Sequence, residues 1–429
     1  MKQKNGSFLH VLTIGFALFS MFFGAGNVIF PPYLGLQSGR QWFSGFGAYY
    51  IADVALALVA LFALLREGSA MRVLDRIGAK AATVLMTVII LCIGPMLAIP
   101  RTAATTYEMG VVQLIPGLNP ILFSAIFFAV ILALSVRESA VIDIIGKFLT
   151  PALLLGLAVL IVVGMIHPLG EINPVVQVDN VIVTGIQAGY QTMDVLAALV
   201  FGTVLIKSAL DKGYDKQDER MKVLVKSAGL AGLLLLLVYL GLAYLGATVS
   251  KLYPVEISRA ELVIAIVQSL LGRPGLIIFA LVVALACVTT AVALVSSAAN
   301  HFAGLAKGKV SYAVFVVIIC VFSAVVSNLG LDTIVSIAAP ILGIVYPPVL
   351  VLVIVSLVAP RMTNSICIWA VIGALITSIL SAIAGFGVNI PLLDRLPLAS
   401  VDMGWVLPAI LFGVAAWLYR LPWQEKHED

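Results

Sequence analysis

Twelve apolar runs of about membrane-spanning length follow one another along the chain, with charge held mainly in the joints between them. Their approximate limits are 8–35, 43–65, 82–100, 119–136, 140–166, 181–206, 223–247, 274–300, 310–327, 333–358, 366–386 and 404–420. Roughly 20 apolar residues span the hydrocarbon core as a helix. The pattern predicts an all-α polytopic membrane protein of about twelve helices. Composition supports this reading. With 62% hydrophobic and 11% charged residues, a chain of this length cannot solvate a water-facing surface, so its main partner is the lipid bilayer. The first run is too long for a signal-peptide core of roughly 7–15 residues and is expected to stay as an uncleaved helix. In run 333–358, "AAP" and "YPP" are expected to divide or kink the helix.

Orientation follows from lysine and arginine in the short loops. With the N-terminus inside, nineteen of the 25 fall on the cytoplasmic side; Arg40, Arg101, Lys251, Arg259, Arg273 and Arg395 fall outside. Both termini are therefore expected in the cytoplasm. Segment 66–80 is expected to form a short surface helix, loop 207–222 is polar, and loop 248–272 carries an amphipathic helix over the outer mouth. The net charge of +4 is a loop bias and points to no nucleic-acid partner. Cys92, Cys287, Cys320 and Cys367 lie in apolar runs without metal spacing. His10, His167, His301 and His427 lie at segment ends, without acidic or histidine neighbours at metal spacing.

Two runs are interrupted. "MFFGAGNVIFPP", residues 21–32, places Gly24, Ala25, Gly26 and Asn27 inside the first. "QAGYQTMDVLAALV", residues 187–200, places Gly189, Tyr190, Gln191, Thr192, Met193 and Asp194 inside the sixth. Five helices separate the breaks, so the two broken helices cross the membrane in opposite directions. Paired interruptions in two inverted halves point to a transporter site at the midplane. Half-helices starting near Val28 and Val195 aim N–H groups and positive dipole at the break, which suits a carboxylate. Half-helices ending there offer carbonyls that suit Na+. The competing readings are helix packing for the glycines and a simple N-cap for Asp194.

A third constellation is "ALACVTTAVALVSSAAN", 284–300. The Ala286 carbonyl shares a helix face with the Thr289 and Thr290 hydroxyls, and oxygen-only ligands suit a hard cation. Threonines in membrane helices also bond back to a carbonyl one turn earlier. Asp53 reads either as a relay or as a structurally paired carboxylate. Asp143 and Lys147 form an i, i+4 pair. Arg101 and Glu108 read as a gate pair or, for Arg101, as a snorkelling side chain.

"FSMFFGAGNVIFPP" and "GPMLAIPRTAATTYE", 94–108, resemble the first- and third-helix motifs of the branched-chain amino acid:cation symporters, the LIVCS family. The resemblance covers nearly the whole chain. It implies a LeuT-type fold in a single transporter domain, 1–429. Inverted five-helix repeats would span about 8–166 and 181–358, with two extra helices at about 366–420. It also implies that Gly24 to Asn27 and Gly189 to Asp194 hold the substrate's amino and carboxyl groups. A Na+ would sit between helices 1 and 8 on Ala286, Thr289 and Thr290, with carbonyls from near Ser20 and Phe23.

The expected function is therefore import of leucine, isoleucine or valine with Na+ by alternating access in a bacterial inner membrane. Na+ is the coupling ion, and no organic cofactor or obligate protein partner is expected. Phe22, Phe23 and Met193 are candidates for contact with the aliphatic side chain. The alternatives are a proton-coupled carrier using Asp53 or Asp194 and, from another class, a membrane-embedded enzyme. An enzyme would need a clustered nucleophile, acid/base or metal set, and the sequence offers none.

Overall fold

The computed structural model describes residues 2–136, 150–359 and 362–419, with side chains from residue 8 onward. Asp143 and Lys147 lie outside the described residues. The split first run forms α1 (Lys2–Phe22) and α2 (Ala25–Ser38). A π turn at Ile51–Ala55 joins α3 (Trp42–Tyr50) to α4 (Leu56–Glu67), and α5 (Ala70–Leu74) follows. A second π turn at Cys92–Met96 joins α6 (Ala79–Leu91) to α7 (Ala98–Thr106). Next come α8 (Pro120–Ser135), α9 (Thr150–Ile166) and the split sixth run, α10 (Val181–Thr192) and α11 (Asp194–Asp211). The rest is α12 (Gln217–Thr248), α13 (Arg259–Leu305), α14 (Tyr312–Ser327), α15 (Leu331–Val358), α16 (Asn364–Gly385) and α17 (Val406–Leu418). Among the described residues, seven helical stretches are long and apolar enough to cross a membrane, and five shorter apolar helices accompany them.

Local sequence sets many of the boundaries. Asn119 accepts from the Ile121 N–H just ahead of a proline at the start of α8. Asn180 does the same for α10, Ser258 for α13 and Ser311 for α14. Each satisfies N–H groups that the first helical turn leaves without partners.

Both broken helices sit at the centre. α1 and α2 pack on α12, α3 packs on α10, α4 on α11, and α7 on α13. The α2–α12 crossing depends on small residues: a Cβ on Gly35 would run into the Ala243 carbonyl, and one on Gly246 into that of Pro32. Without a hydrophobic drive between membrane helices, such close approach is what packing relies on. α16 and α17 pack against each other, and α16 also against α15, outside this centre.

Two expectations change. α15 runs unbroken through Pro340, Pro347 and Pro348; a membrane helix tolerates proline where neighbours satisfy the freed backbone. The amphipathic helix expected in 248–272 is present: it starts at Arg259 and is set off from the rest of α13 by a kink at Gly272, at φ 64°. Its apolar face, with Leu262, Val263, Ile266 and Val267, is buried. Loop 207–222 is shortened by helix from both sides, because α11 ends at Asp211 and α12 starts at Gln217. Segment 66–80 does contain a short helix, α5, followed by a 3-10 turn at Asp75–Ile77.

Candidate functional site

The first break is short. The Phe23 N–H still bonds to the Phe19 carbonyl at 2.7 Å; Gly24 is extended at φ −112°, ψ −166°, and α2 starts at Ala25. Any residue adopts that backbone, so glycine contributes space here. A Cβ on Gly26 would lie 2.8 Å from an Arg101 guanidinium nitrogen, and one on Gly189 2.8 Å from the Ala52 Cβ. The second break falls on Met193, which is left-handed at φ 69°, ψ 14°. A bulky residue held in that region stores backbone strain, a feature common at functional sites.

Side chains tie the two breaks together. Asp194 is the first residue of α11, where its charge suits the positive end of the helix dipole. Asn27 Nδ2 donates to Asp194 Oδ2 at 3.0 Å and to the Tyr239 hydroxyl at 2.6 Å. Asp53 lies in the π turn of the second helix, a deformation frequent at functional positions. The Thr192 hydroxyl lies 2.7 Å from Asp53 Oδ1 and 2.6 Å from the Gly189 carbonyl. A hydroxyl has one proton, so it donates to one of these at a time. Asp53 and Asp194 are direct neighbours, and the buried Tyr49 hydroxyl also faces Asp53.

Arg101 is the residue the sequence reading misplaced. It is 3% exposed and donates to the carbonyls of Gln191 at 2.6 Å and Thr192 at 3.3 Å. It neither snorkels nor pairs with Glu108, whose carboxylate accepts from the Leu331 N–H at 2.8 Å. The reason is helix length. The third apolar stretch continues from Ala79 to Leu114, so residue 101 is inside the bundle rather than at its rim. Carbonyls at the end of α10, expected to suit Na+, are engaged by this guanidinium. The signal available in sequence was a lone arginine among small residues just after "GP", where Gly94 leaves helical geometry at φ −99°, ψ −125°.

On α13, Thr290 faces the first break: a Cβ on Gly24 would sit 3.5 Å from its methyl and 3.7 Å from its hydroxyl oxygen. That hydroxyl is buried without a partner. Thr289 instead donates to the Ala286 carbonyl at 2.8 Å, the local back-bond that competes with ion binding. Ser20 and Ala286 line a cavity of about 20 Å³ beside α9. The Phe23 ring stacks between Phe19 at 5.4 Å and Tyr239 at 6.0 Å. An orphaned oxygen beside an extended backbone segment fits a hard cation.

Between the breaks lies a cavity of about 30 Å³ lined by Phe22, Met193, Phe201, Asp194, Arg101 and Thr290, among others. A water needs roughly 10–15 Å³ by this measure, so the space suits a water or a bare ion. An amino acid enters only if the helices around the breaks separate. Phe22 and Met193 line this space, whereas Phe23 is absent from its wall. Among the described residues no cluster of histidine, cysteine, aspartate and glutamate is arranged to hold a metal ion.

Known proteins bear on this arrangement. The fold is similar to that of Mhp1, a nucleobase-cation-symport-1 family transporter, in a closed conformation. The TM-score is 0.66 at 14% identity, covering 97% of this chain and 94% of that one. It is also similar to a Na+-coupled sialic acid symporter in an outward-open state, with TM-score 0.59 at 13% identity, covering 96% and 90%. These likenesses identify the LeuT-type transporter fold. In sequence, the chain is 33% identical to the branched-chain amino acid permease BraB of Bacillus subtilis, covering 96% of this chain and 95% of that protein. It is 34% identical to BrnQ of Escherichia coli K12, covering 95% and 94%. It is 35% identical to the transport system 2 carrier of Pseudomonas aeruginosa, covering 95% of each. The branched-chain amino acid transport protein family model matches residues 7–421. The broken helices thus belong to a multi-pass carrier and not to an enzyme, and the chain is a member of the branched-chain amino acid transport protein family.

Proposed function

We propose that the protein imports leucine, isoleucine or valine together with Na+ across the bacterial cytoplasmic membrane. The observation that carries the coupling ion is the unpartnered Thr290 hydroxyl beside the Gly24 break. In this reading Na+ is co-substrate, held by Thr290, by Thr289 after its back-bond to Ala286 yields, and by carbonyls near Ser20 and Phe23. The amino acid's charged groups meet the α2 and α11 termini at Gly24 to Asn27 and Gly189 to Asp194. Two inverted halves, about 8–166 and 181–358, would rock around that site, with the helices at 366–420 outside them. Moving Arg101 from loop to interior leaves five outer lysines and arginines against nineteen, which favours cytoplasmic termini. Substrate and cation are coupled only if both favour the same closed state.

One observation favours a second reading. Asp53 and Asp194 face each other in the same buried cluster, as a proton-coupled carrier would need. Leucine uptake into proteoliposomes separates the two: a Na+ gradient at uniform pH drives it in the first reading, a pH gradient without Na+ in the second. If Thr290→Ala leaves sodium dependence untouched, the cation site is wrong.

A further inference from the structure

The first and sixth helices are not alone in being interrupted at the centre. In the third, α6 and α7 meet at the π turn of Cys92–Met96. Gly94 there has φ −99° and ψ −125°, and Leu97, which follows the turn, has φ −127° and ψ −63°. An α-helix keeps φ about −63° and ψ about −42°. Pro95 has no N–H to return to the helix, and the Leu97 N–H reaches back five residues to the Cys92 carbonyl. Proline and a π turn are both established causes of a sharp kink. The turn is level with the other two breaks, because Ile93 before it and Ala98 after it line the same small cavity as Phe22 and Met193.

The cargo of α7 gives this kink its consequence. Arg101, in the first turn of α7, donates to the Gln191 and Thr192 carbonyls at the end of α10. Its guanidinium also lies 5.9 Å from the centre of the Phe30 ring on α2 and fills the space beside Gly26. α2 packs on both α7 and α10. One buried side chain thus joins α7 to the two half-helices that start or end at the breaks. Moving α2 or α10 while α7 stands still would strand a buried guanidinium away from its acceptors, a costly state. With a straight third helix, α7 could follow them only by dragging α6 along. A kink between α6 and α7 removes that constraint. Just beyond α7, Gly110 faces Ala280 of α13, and even an added Cβ would come no closer than 3.5 Å to the Ala280 Cβ. No knob locks that contact, as sliding of packed helices requires.

We propose that the Cys92–Met96 turn is a third hinge, about which α7 swings as one body with α2 and α10 when the carrier changes state. Arg101 is the pin that holds the three half-helices together, and Gly94 and Pro95 are where the backbone angle is absorbed. The hinge requires only a carrier that alternates between states, whichever cation drives it.

The third helix can serve as its own ruler. Val84 on α6 and Leu114 beyond α7 are 64% and 43% exposed, and the four native cysteines are buried. Spin labels on Val84→Cys and Leu114→Cys of the full chain therefore report the bend. A straight helix would hold these positions about 45 Å apart, a separation that pulsed electron resonance reads. In lipid nanodiscs in sodium buffer, saturating leucine is expected to shift the distance distribution; a distribution that leucine leaves unmoved overturns the hinge. Gly94→Ala with Pro95→Ala restores a helix-forming pair, and the new Cβ at 94 has room, 3.5 Å from the Ala298 Cβ. This double variant is expected to hold the labels at the long distance and keep leucine binding. Its kcat for leucine counterflow, which needs no imposed ion gradient, should fall at least about tenfold. Wild-type turnover at a fixed long distance overturns the hinge, and so does loss of binding together with turnover. If the double variant does not fold, Gly94→Ala alone and the distances in the otherwise wild-type chain decide. Asn27→Leu probes the central site separately: leucine binding kept in that variant sinks the central assignment and leaves the hinge standing.

Discussion

Replacing Thr290 with valine gives the proposed cation site a sharp sign test. Valine matches threonine in shape and removes only the hydroxyl. That hydroxyl is buried without a protein partner, and such a group costs about 1–3 kcal/mol. In choline buffer Thr290→Val is therefore expected to be more stable than the wild type by up to about that amount. Sodium should reverse the order. A ligand at 100 times its Kd stabilises the folded state by about 2.7 kcal/mol, and only the wild type should gain it in full. Thr289→Val is the control: its hydroxyl is already bonded to Ala286 at 2.8 Å, so its loss should destabilise by about 1 kcal/mol in choline. Thermal unfolding of purified protein in choline and in sodium reads all three. If Thr290→Val keeps the full sodium-induced rise in Tm, the hydroxyl is not a ligand and the reasoning fails.

Arg101→Met leaves two α10 carbonyls and the neighbouring carboxylates without their guanidinium, and breaking a buried charged pairing typically costs about 3–5 kcal/mol. The expected outcome is loss of leucine uptake with a lowered Tm, while Arg101→Lys, a point charge in place of a fork, keeps part of both. Gly246→Ala puts a Cβ against the Pro32 carbonyl; overpacking of this kind costs about 1–3 kcal/mol, read as a fall in Tm with leucine and sodium affinity retained. At the surface, Lys251 bonds Glu171 at 2.5 Å and holds it below the ordinary glutamate range. A depressed carboxylate contributes above its unfolded pKa and loses that contribution as pH falls through the folded one. Because Glu171 is fully exposed, Glu171→Gln should leave Tm unchanged at neutral pH within measurement error.

Much of this architecture was legible because lipid restricts the choices. Apolar runs of span length had to become helices, and each run lies on helix where it is described. The two breaks were legible as polar and glycine residues where a lipid-facing helix has no use for them. Their conformations were not. Gly24 proved to be extended, while the strained residue, Met193, carries no compositional mark of left-handed backbone. Arg101 was misread because the third run was ended at its first charged residue. A guanidinium inside the bundle is affordable only when carbonyls and carboxylates from distant segments meet it, and sequence spacing carries no trace of that meeting. Tyr239 was missed for a similar reason: its hydroxyl sits in an apolar run and acquires its role only when α12 crosses α2 beside Asn27. The three prolines of α15 misled in the opposite direction, since the sequence weighs the lost N–H and cannot weigh the neighbours that compensate it.

The charge carried by the central cluster bears on why a cation should be needed at all. Asp53 and Asp194 are neighbours, both close to Arg101. With both carboxyls ionised, two negative charges face one positive charge in a space closed to bulk water. An isolated buried charge is costly enough that it is neutralised or paired. A zwitterionic amino acid adds no net charge, so its arrival leaves the deficit in place. One further positive charge balances the cluster, whether a Na+ beside Thr290 or a proton shared by the carboxyls. The two readings are therefore alternative answers to one electrostatic demand. On the proposed reading the cluster favours one further positive charge, and whichever cation stabilises the closed cluster better is the one whose gradient would drive the cycle.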